Sequence, residues 1–150
     1  MKNISLCFFK TESHYGYKIR KLTKEEYDRS AVLIGGKLLM ITADNGTYLS
    51  PLKKEKPKLV LYLGKADVRD QLVSTFKYPI DMGLIFKTAF NYYRDNTKVV
   101  VPSCATGSAL FLSSIGFKEF KNEIIYSPQD LLNIGVRVNE TSRRKYGCTS

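Results

Sequence analysis

The sequence has no tryptophan, one histidine and three cysteines among its 150 residues. The histidine is His14, and the cysteines are Cys7, Cys104 and Cys148. A tetrahedral zinc site needs about four cysteine or histidine ligands, and these residues show neither CxxC nor HxxxH spacing. The sequence therefore predicts a protein without a metal site. It also excludes mechanisms that need two histidines.

Long apolar runs are absent as well. The apolar stretch that follows Met1-Lys2-Asn3 ends at Lys10, which makes it too short for the core of a signal peptide. No segment approaches the run of about 18 apolar residues that a transmembrane helix needs. An odd number of cysteines suits a reducing compartment better than a disulfide framework. We therefore expect a cytoplasmic protein without a transmembrane segment.

Positive charge, in contrast, is abundant: 24 Lys and Arg residues oppose 14 Asp and Glu residues, for a formal net charge of +10. The basic residues concentrate in segments 18–24, 53–58 and 143–145. Such runs either form solvated faces or attract a polyanion such as nucleic acid, lipid headgroups or an acidic polymer. No zinc finger, RRM or helix-turn-helix pattern accompanies them, so the charge alone does not predict a nucleic-acid reader.

The order of the predicted elements favours a single α+β domain, which also suits the length of the chain. The strands are expected in an antiparallel meander at residues 3–9, 31–34, 37–43, 47–49 and 59–63. Gly35-Gly36 and Asp44-Asn45-Gly46 are its hairpin turns. Helices are expected at residues 67–76, 82–93 and 104–115, with a short fourth helix that begins at the N-cap Ser127.

The candidate functional residue of this sequence is Cys104. An extended segment, 99–101, ends at Pro102, and Cys104 then opens a helix among small residues. The first N–H groups of a helix have no internal partners and its dipole favours negative charge, so a thiolate is stabilised there. The same N–H groups can hold an oxyanion. Cys104 is therefore either a nucleophile or one more small buried side chain.

Several segments around Cys104 resemble the permuted papain-like hydrolases, the relatives of the NlpC cell-wall peptidases and of lecithin retinol acyltransferase. The similarity lies in the helix that begins at Cys104 and ends in Gly116-Phe117, in segment 126–132, in segment 70–83 and in the strand–turn–strand run 31–52. It covers roughly residues 18–134. It implies a papain-like fold, with a nucleophile-bearing helix packed against the antiparallel sheet. Residues 1–150 would form one domain with a basic C-terminal tail at 141–150.

The resemblance also implies roles for particular residues. Cys104 matches the nucleophile of the family. The base is normally the histidine of a Ser-His-apolar step, and the best-fitting step here, Ser30-Ala31, has Ala31 in its place. His14, which follows Ser13, forms a Ser-His step 17 residues earlier and is the candidate base. The orienting polar residue falls at Thr42, with Asp44 as a nearby substitute.

This resemblance predicts a thiol-dependent hydrolase or acyltransferase that acts on an amide or ester bond and uses no cofactor. The alternative is a catalytically degenerate member, a phage- or virus-type binding or assembly protein. Such a protein would be virion-associated and would contact a polyanion or a protein partner through its basic surface.

A second resemblance involves segment 111–119, which is similar to the Leu-Tyr-x-x-x-Gly-Phe step of the GNAT N-acetyltransferases. It would place helix 82–93 after a pyrophosphate-binding loop and would imply binding of acetyl-CoA. Segment 77–83 supplies a single glycine for that loop, and Leu112 stands where the family has its tyrosine acid.

Overall fold

The structure, a computed structural model, describes residues 1–23, 25–42, 45–80, 83–85, 87, 103–121 and 127–146. The predicted extended segment 99–101 and most of the predicted helix 82–93 lie outside the described residues.

A five-stranded antiparallel sheet forms one layer, and helices pack against it. Its strands are β1 Lys2–Phe9, β2 Arg29–Ile34, β3 Lys37–Thr42, β4 Gly46–Pro51 and β5 Leu59–Ala66. The helices whose bounds are described are α1 His14–Thr23, α2 Asp70–Thr75, α3 Cys104–Ser114 and α4 Pro128–Tyr146. Residues 83–85 and 87, within the predicted helix 82–93, are also helical. Short 3₁₀ turns lie at Leu52–Lys54 and Lys118–Phe120. The predicted α+β class is confirmed.

The hairpins of β2, β3 and β4 follow from their glycines. Ile34 pairs with Lys37, which leaves Gly35 and Gly36 as a two-residue loop. Gly35 has a φ of +61°, a conformation that side chains disfavour and that tight hairpins require. The predicted meander is therefore confirmed for these three strands.

The prediction that β5 continues the meander is wrong. The strand order is β4-β3-β2-β1-β5, so β5 pairs with β1 at the opposite edge of the sheet. It also runs past Gly64, where the sequence predicted its end. Gly64 lies beside a register shift at Ile4/Ser5, and its φ of +142° fits a bulge that bends the strand without ending it.

Side chains alternate between the two faces of the sheet and build two hydrophobic cores. The helix-side core contains Leu6 and Phe8 of β1 together with residues of β2, α3 and α4. The opposite core contains Cys7 and Phe9 of the same strand, with residues of β2 and β3. Each strand that contributes to both cores is therefore apolar along most of its length, without the hydrophobic–polar alternation of a half-exposed sheet.

Helix α1 was not predicted, since the sequence indicated only strands in this half of the chain. Its N-cap is Ser13, whose hydroxyl accepts a hydrogen bond from the N–H of Gly16 (3.0 Å). A Cβ on Gly16 would lie 2.0 Å from Thr11 Oγ1 and 3.0 Å from Asp28 Oδ2. Glycine therefore allows the helix to approach the sheet closely at this point.

Asp28 connects α1 to the sheet through an ion pair and hydrogen bonds. Its carboxylate accepts hydrogen bonds from the N–H (3.0 Å) and the hydroxyl (2.8 Å) of Thr11, and it pairs with the guanidinium of Arg20. The side chains of Asp28 and Arg20 are only 2% and 16% exposed. The pair is thus largely removed from water. Its charges and hydrogen-bonding groups must therefore be compensated within the protein.

Helix α4 begins as predicted and is much longer than predicted. Pro128 is its first residue, and the carboxylate of Asp130 accepts from the N–H of Ser127 (3.2 Å). The helix has 19 residues and includes 141–146, the first part of the expected basic tail. Within the part of the chain that the structure describes, no helix is both long and apolar enough to cross a membrane.

Candidate functional site

The candidate site is built around the start of α3. Ser103 is the N-cap of this helix, with an extended backbone (φ −132°, ψ 170°), and its hydroxyl accepts from the N–H of Thr106 (3.3 Å). Cys104 is the first helical residue and is partly exposed. The predicted helix start at Cys104 is confirmed, while a nucleophilic role for its sulfur stays a prediction.

The sulfur of Cys104 faces the beginning of β2. The hydroxyl of Ser30 lies 3.8 Å from Cys104 Sγ and can donate a weak hydrogen bond to it. Ser30 is fully buried beneath α3, which packs against β2 and β3. A hydroxyl in this position is a partner for negative charge on the sulfur.

The Ser30-Ala31 step does not place position 31 beside the sulfur. Alternation along β2 directs Ser30 toward α3, whereas Ala31 belongs to the opposite core with Cys7. An imidazole at position 31 would therefore project away from Cys104. Ser30 is therefore the residue of this step that faces the cysteine.

Thr42, the expected orienting residue, is engaged in a turn. Its hydroxyl donates to the carbonyl oxygen of Gly46 (3.2 Å) and accepts from the N–H of Asn45 (3.1 Å). Both bonds close the connection between β3 and β4. Asp44, the proposed substitute, lies outside the described residues.

His14, the candidate base, is the first residue of α1, and its side chain is exposed. The Ser13-His14 step thus caps a helix and does not begin a strand of the sheet. The chain leaves β1 at Phe9, which pairs with Arg29, the neighbour of Ser30. Helix α1 therefore emerges at the end of the sheet where Cys104 lies.

Two features near Cys104 were missed by the sequence reasoning. Tyr78 packs its ring on the backbone of α3, since a Cβ on Gly107 would lie 2.7 Å from Tyr78 Cδ1. Its N–H donates to the hydroxyl of Thr47 (2.9 Å), and burial raises the pKa of its phenol. Ser108, four residues after Cys104, is fully buried and its hydroxyl has no hydrogen-bond partner. The small residues Gly107 and Ser108 were the available signal of close packing here.

Cys7 has a different environment. It is fully buried in the opposite core, and burial raises the pKa of its thiol to about 12. It is therefore protonated and inaccessible at neutral pH. Of the two cysteines in the described part of the chain, Cys104 is the one that solvent reaches.

Among the described residues, no group of three or more His, Cys, Asp and Glu side chains could hold a metal ion. No known protein family, no curated protein and no solved structure shows significant similarity to the chain. The papain-like and GNAT resemblances therefore both stay predictions.

Proposed function

We propose that the protein is a thiol-dependent acyl-transfer enzyme of papain-like type, which acts on an amide or ester bond through Cys104. The observation that supports this most directly is the position of the cysteine. It is partly exposed, it begins an 11-residue helix, and it packs against the start of a strand in an antiparallel sheet.

In the proposed reaction, Cys104 Sγ attacks the carbonyl carbon of the substrate. The bond from that carbon to the amine or alcohol breaks, the leaving group takes a proton, and a thioester remains on the cysteine. Water or an acceptor then releases the acyl group. Thr106 N–H already donates to Ser103, so the N–H groups of Cys104 and Ala105 are the first-turn donors proposed to hold the oxyanion.

His14 is the proposed proton acceptor, because it is the only imidazole in the sequence and α1 emerges at the same end of the sheet as Cys104. Ser30 is proposed to support charge on the sulfur through its hydroxyl. Thr42 has no part in the proposal, since its hydroxyl is used by the β3–β4 turn.

The test is the rate of iodoacetamide labelling of each cysteine at pH 6–7, measured by peptide mass spectrometry. Cys104 should react much faster than Cys7 and Cys148, and His14→Ala should slow it while His14→Gln serves as the polar control without a base. A model ester should give a burst of one product per chain that Cys104→Ala abolishes. Equal labelling of the three cysteines would refute the proposal.

A second function is supported by the residue that faces Cys104 from β2, which is a serine, Ser30, and not a histidine. In this alternative the protein keeps the fold, is catalytically inactive, and acts in binding or assembly. It predicts that the folded protein shows no burst and that His14→Ala leaves the labelling of Cys104 unchanged.

A further inference from the structure

The connection between β4 and β5 carries the densest run of lysines whose positions are described. This segment, residues 52–58, is named here the lysine strap. Its four lysines are all exposed; they are Lys53, Lys54, Lys56 and Lys58. The sequence alone could not distinguish a solvated loop from an ordered binding surface. The contacts of the strap with the sheet show whether its lysines are held in place.

The strap is attached at both ends. The N–H of Leu52 donates to the carbonyl oxygen of Gly36 (3.2 Å), and the N–H of Lys58 donates to that of Phe8 (2.8 Å). Leu52 packs against the opposite core. Because β4 and β5 are the two outermost strands of the sheet order, the strap must cross the sheet, and Leu52 places that crossing on the face without α3 and α4.

The strap leaves its 3₁₀ turn after Lys54 and bends at Glu55 and at Lys58. Glu55 has extended dihedral angles (φ −107°, ψ 156°), and Lys56 precedes a proline, which favours the same region. Exposure alternates in this part of the strap: Lys54, Lys56 and Lys58 are exposed, whereas Glu55 and Pro57 are half-buried. Their shared exposure, and not a regular strand, places these three lysines in one row directed at solvent.

The one acidic residue of the strap is turned away from this row. The hydroxyl of Ser50 donates to Glu55 Oε1 (3.2 Å), and Ser50 is a buried residue of β4. The carboxylate is thus held toward the sheet. The solvent side of the strap therefore presents lysines at every second position without an intervening acidic side chain.

We propose that the lysine strap binds the phosphate backbone of a nucleic acid without sequence specificity. Lys54 and Lys58 are four residue steps apart and so span at most about 13 Å, a length over which each strand of a duplex carries about four phosphates. A row of point charges suits a linear polyanion. Lysine ammonium groups bind phosphate without the planar fork that arginine uses for recognition, so no base readout is expected. A membrane is the less favoured partner because the apolar residue of the strap, Leu52, faces the core.

This proposal does not depend on the chemistry of Cys104, which lies on the helix side of the sheet. Its failure and the failure of the enzymatic proposal are therefore separate outcomes.

The experiment measures fluorescence anisotropy of a short labelled DNA duplex of mixed sequence with the full chain, across a salt series. One phosphate contact for each of the four strap lysines, Lys53 included, predicts that affinity falls about 150-fold between 50 and 200 mM salt. The variant Lys54→Gln/Lys56→Gln/Lys58→Gln, left with one strap lysine, should lose only about 3.5-fold over that range and bind more weakly at 50 mM. A second duplex of different sequence should bind equally well.

The matched control removes the same charge from exposed lysines elsewhere, at Lys65, Lys118 and Lys121. Circular dichroism is used to check that both triple variants are folded. The control should bind DNA with nearly the salt dependence of the parent chain. Equal weakening of both variants would show that net charge and not the strap is responsible. Absence of binding at 50 mM, or binding only to equimolar phosphatidylcholine–phosphatidylserine vesicles, would also overturn the proposal.

Discussion

Removal of the Asp28 carboxylate tests whether burial determines how much an ion pair contributes to the stability of this fold. In Asp28→Ala the guanidinium of Arg20 loses its counter-ion, and Thr11 loses the acceptor of its N–H and hydroxyl. Since the Asp28 side chain is 2% exposed and that of Arg20 is 16% exposed, water replaces these partners poorly. The substitution therefore leaves a largely buried charge uncompensated.

The expected cost is large for a domain of this size. Removing one partner of a buried ion pair typically costs about 3–5 kcal/mol, out of a total stability of about 5–15 kcal/mol. At about 2–4 °C per kcal/mol for a chain of this length, the melting temperature should fall by about 6–20 °C. Asp28→Asn keeps the shape and an acceptor for Thr11 but loses the charge, so its effect should be smaller.

Thermal and urea unfolding at pH 7, followed by far-ultraviolet circular dichroism, measures these differences. The control is Asp70→Ala, because Asp70 also pairs with a cation (Oδ1 to Lys2 Nζ, 2.7 Å) but its side chain is 92% exposed. Solvent screens such a pair, and its loss should leave the melting temperature almost unchanged. If the melting temperature of Asp28→Ala equalled that of Asp70→Ala, or that of the parent chain within experimental error, the reasoning from burial would be wrong.

Two further predictions concern α3 and β1. Gly107→Ala should destabilise by about 1–3 kcal/mol in urea unfolding despite the higher helix propensity of alanine, because its Cβ would lie 2.7 Å from Tyr78 and 2.8 Å from Ile41. Gly36→Ala, which meets no atom within 4 Å, is the tolerated control. Burial raises the pKa of Cys7 from 9.0 to about 12, so the folded state holds this proton more tightly than the unfolded state. Stability from this group is therefore complete below pH 9 and is lost as pH rises toward 12. Relative to Cys7→Ala, the parent chain should lose stability over that range, and parallel pH profiles would contradict this.

The elements that the sequence predicted are those with strong local signals. Two glycines between apolar runs located the β2–β3 hairpin, and the Ser127-Pro128 pair located the start of α4. The periodic apolar residues after Cys104 located α3 to within one residue of its end. In each case the interacting groups are close in sequence, so their pattern is visible without tertiary information.

The missed features depend on contacts between distant segments. Helix α1 has few apolar residues and is held by Asp28, whose partners cannot be recognised from spacing. The pairing of β5 with β1 joins residues that are more than fifty positions apart, for example Phe8 with Leu59. At the candidate site, the helix start was predictable from Cys104. The contact of its sulfur with Ser30 depends on which face of β2 meets α3, and periodicity does not determine that.

The two-sided character of β1 limits how this sequence can change in evolution. Leu6 and Phe8 enter one core, while Cys7 and Phe9 enter the other. Substitutions of similar volume at any one of these positions disturb one core alone and can be compensated there. Insertion or deletion of a single residue within the strand would instead exchange the two sets of side chains in both cores at once. Relatives of this protein should therefore differ in β1 by substitution, and their differences in length should lie in the connections between strands.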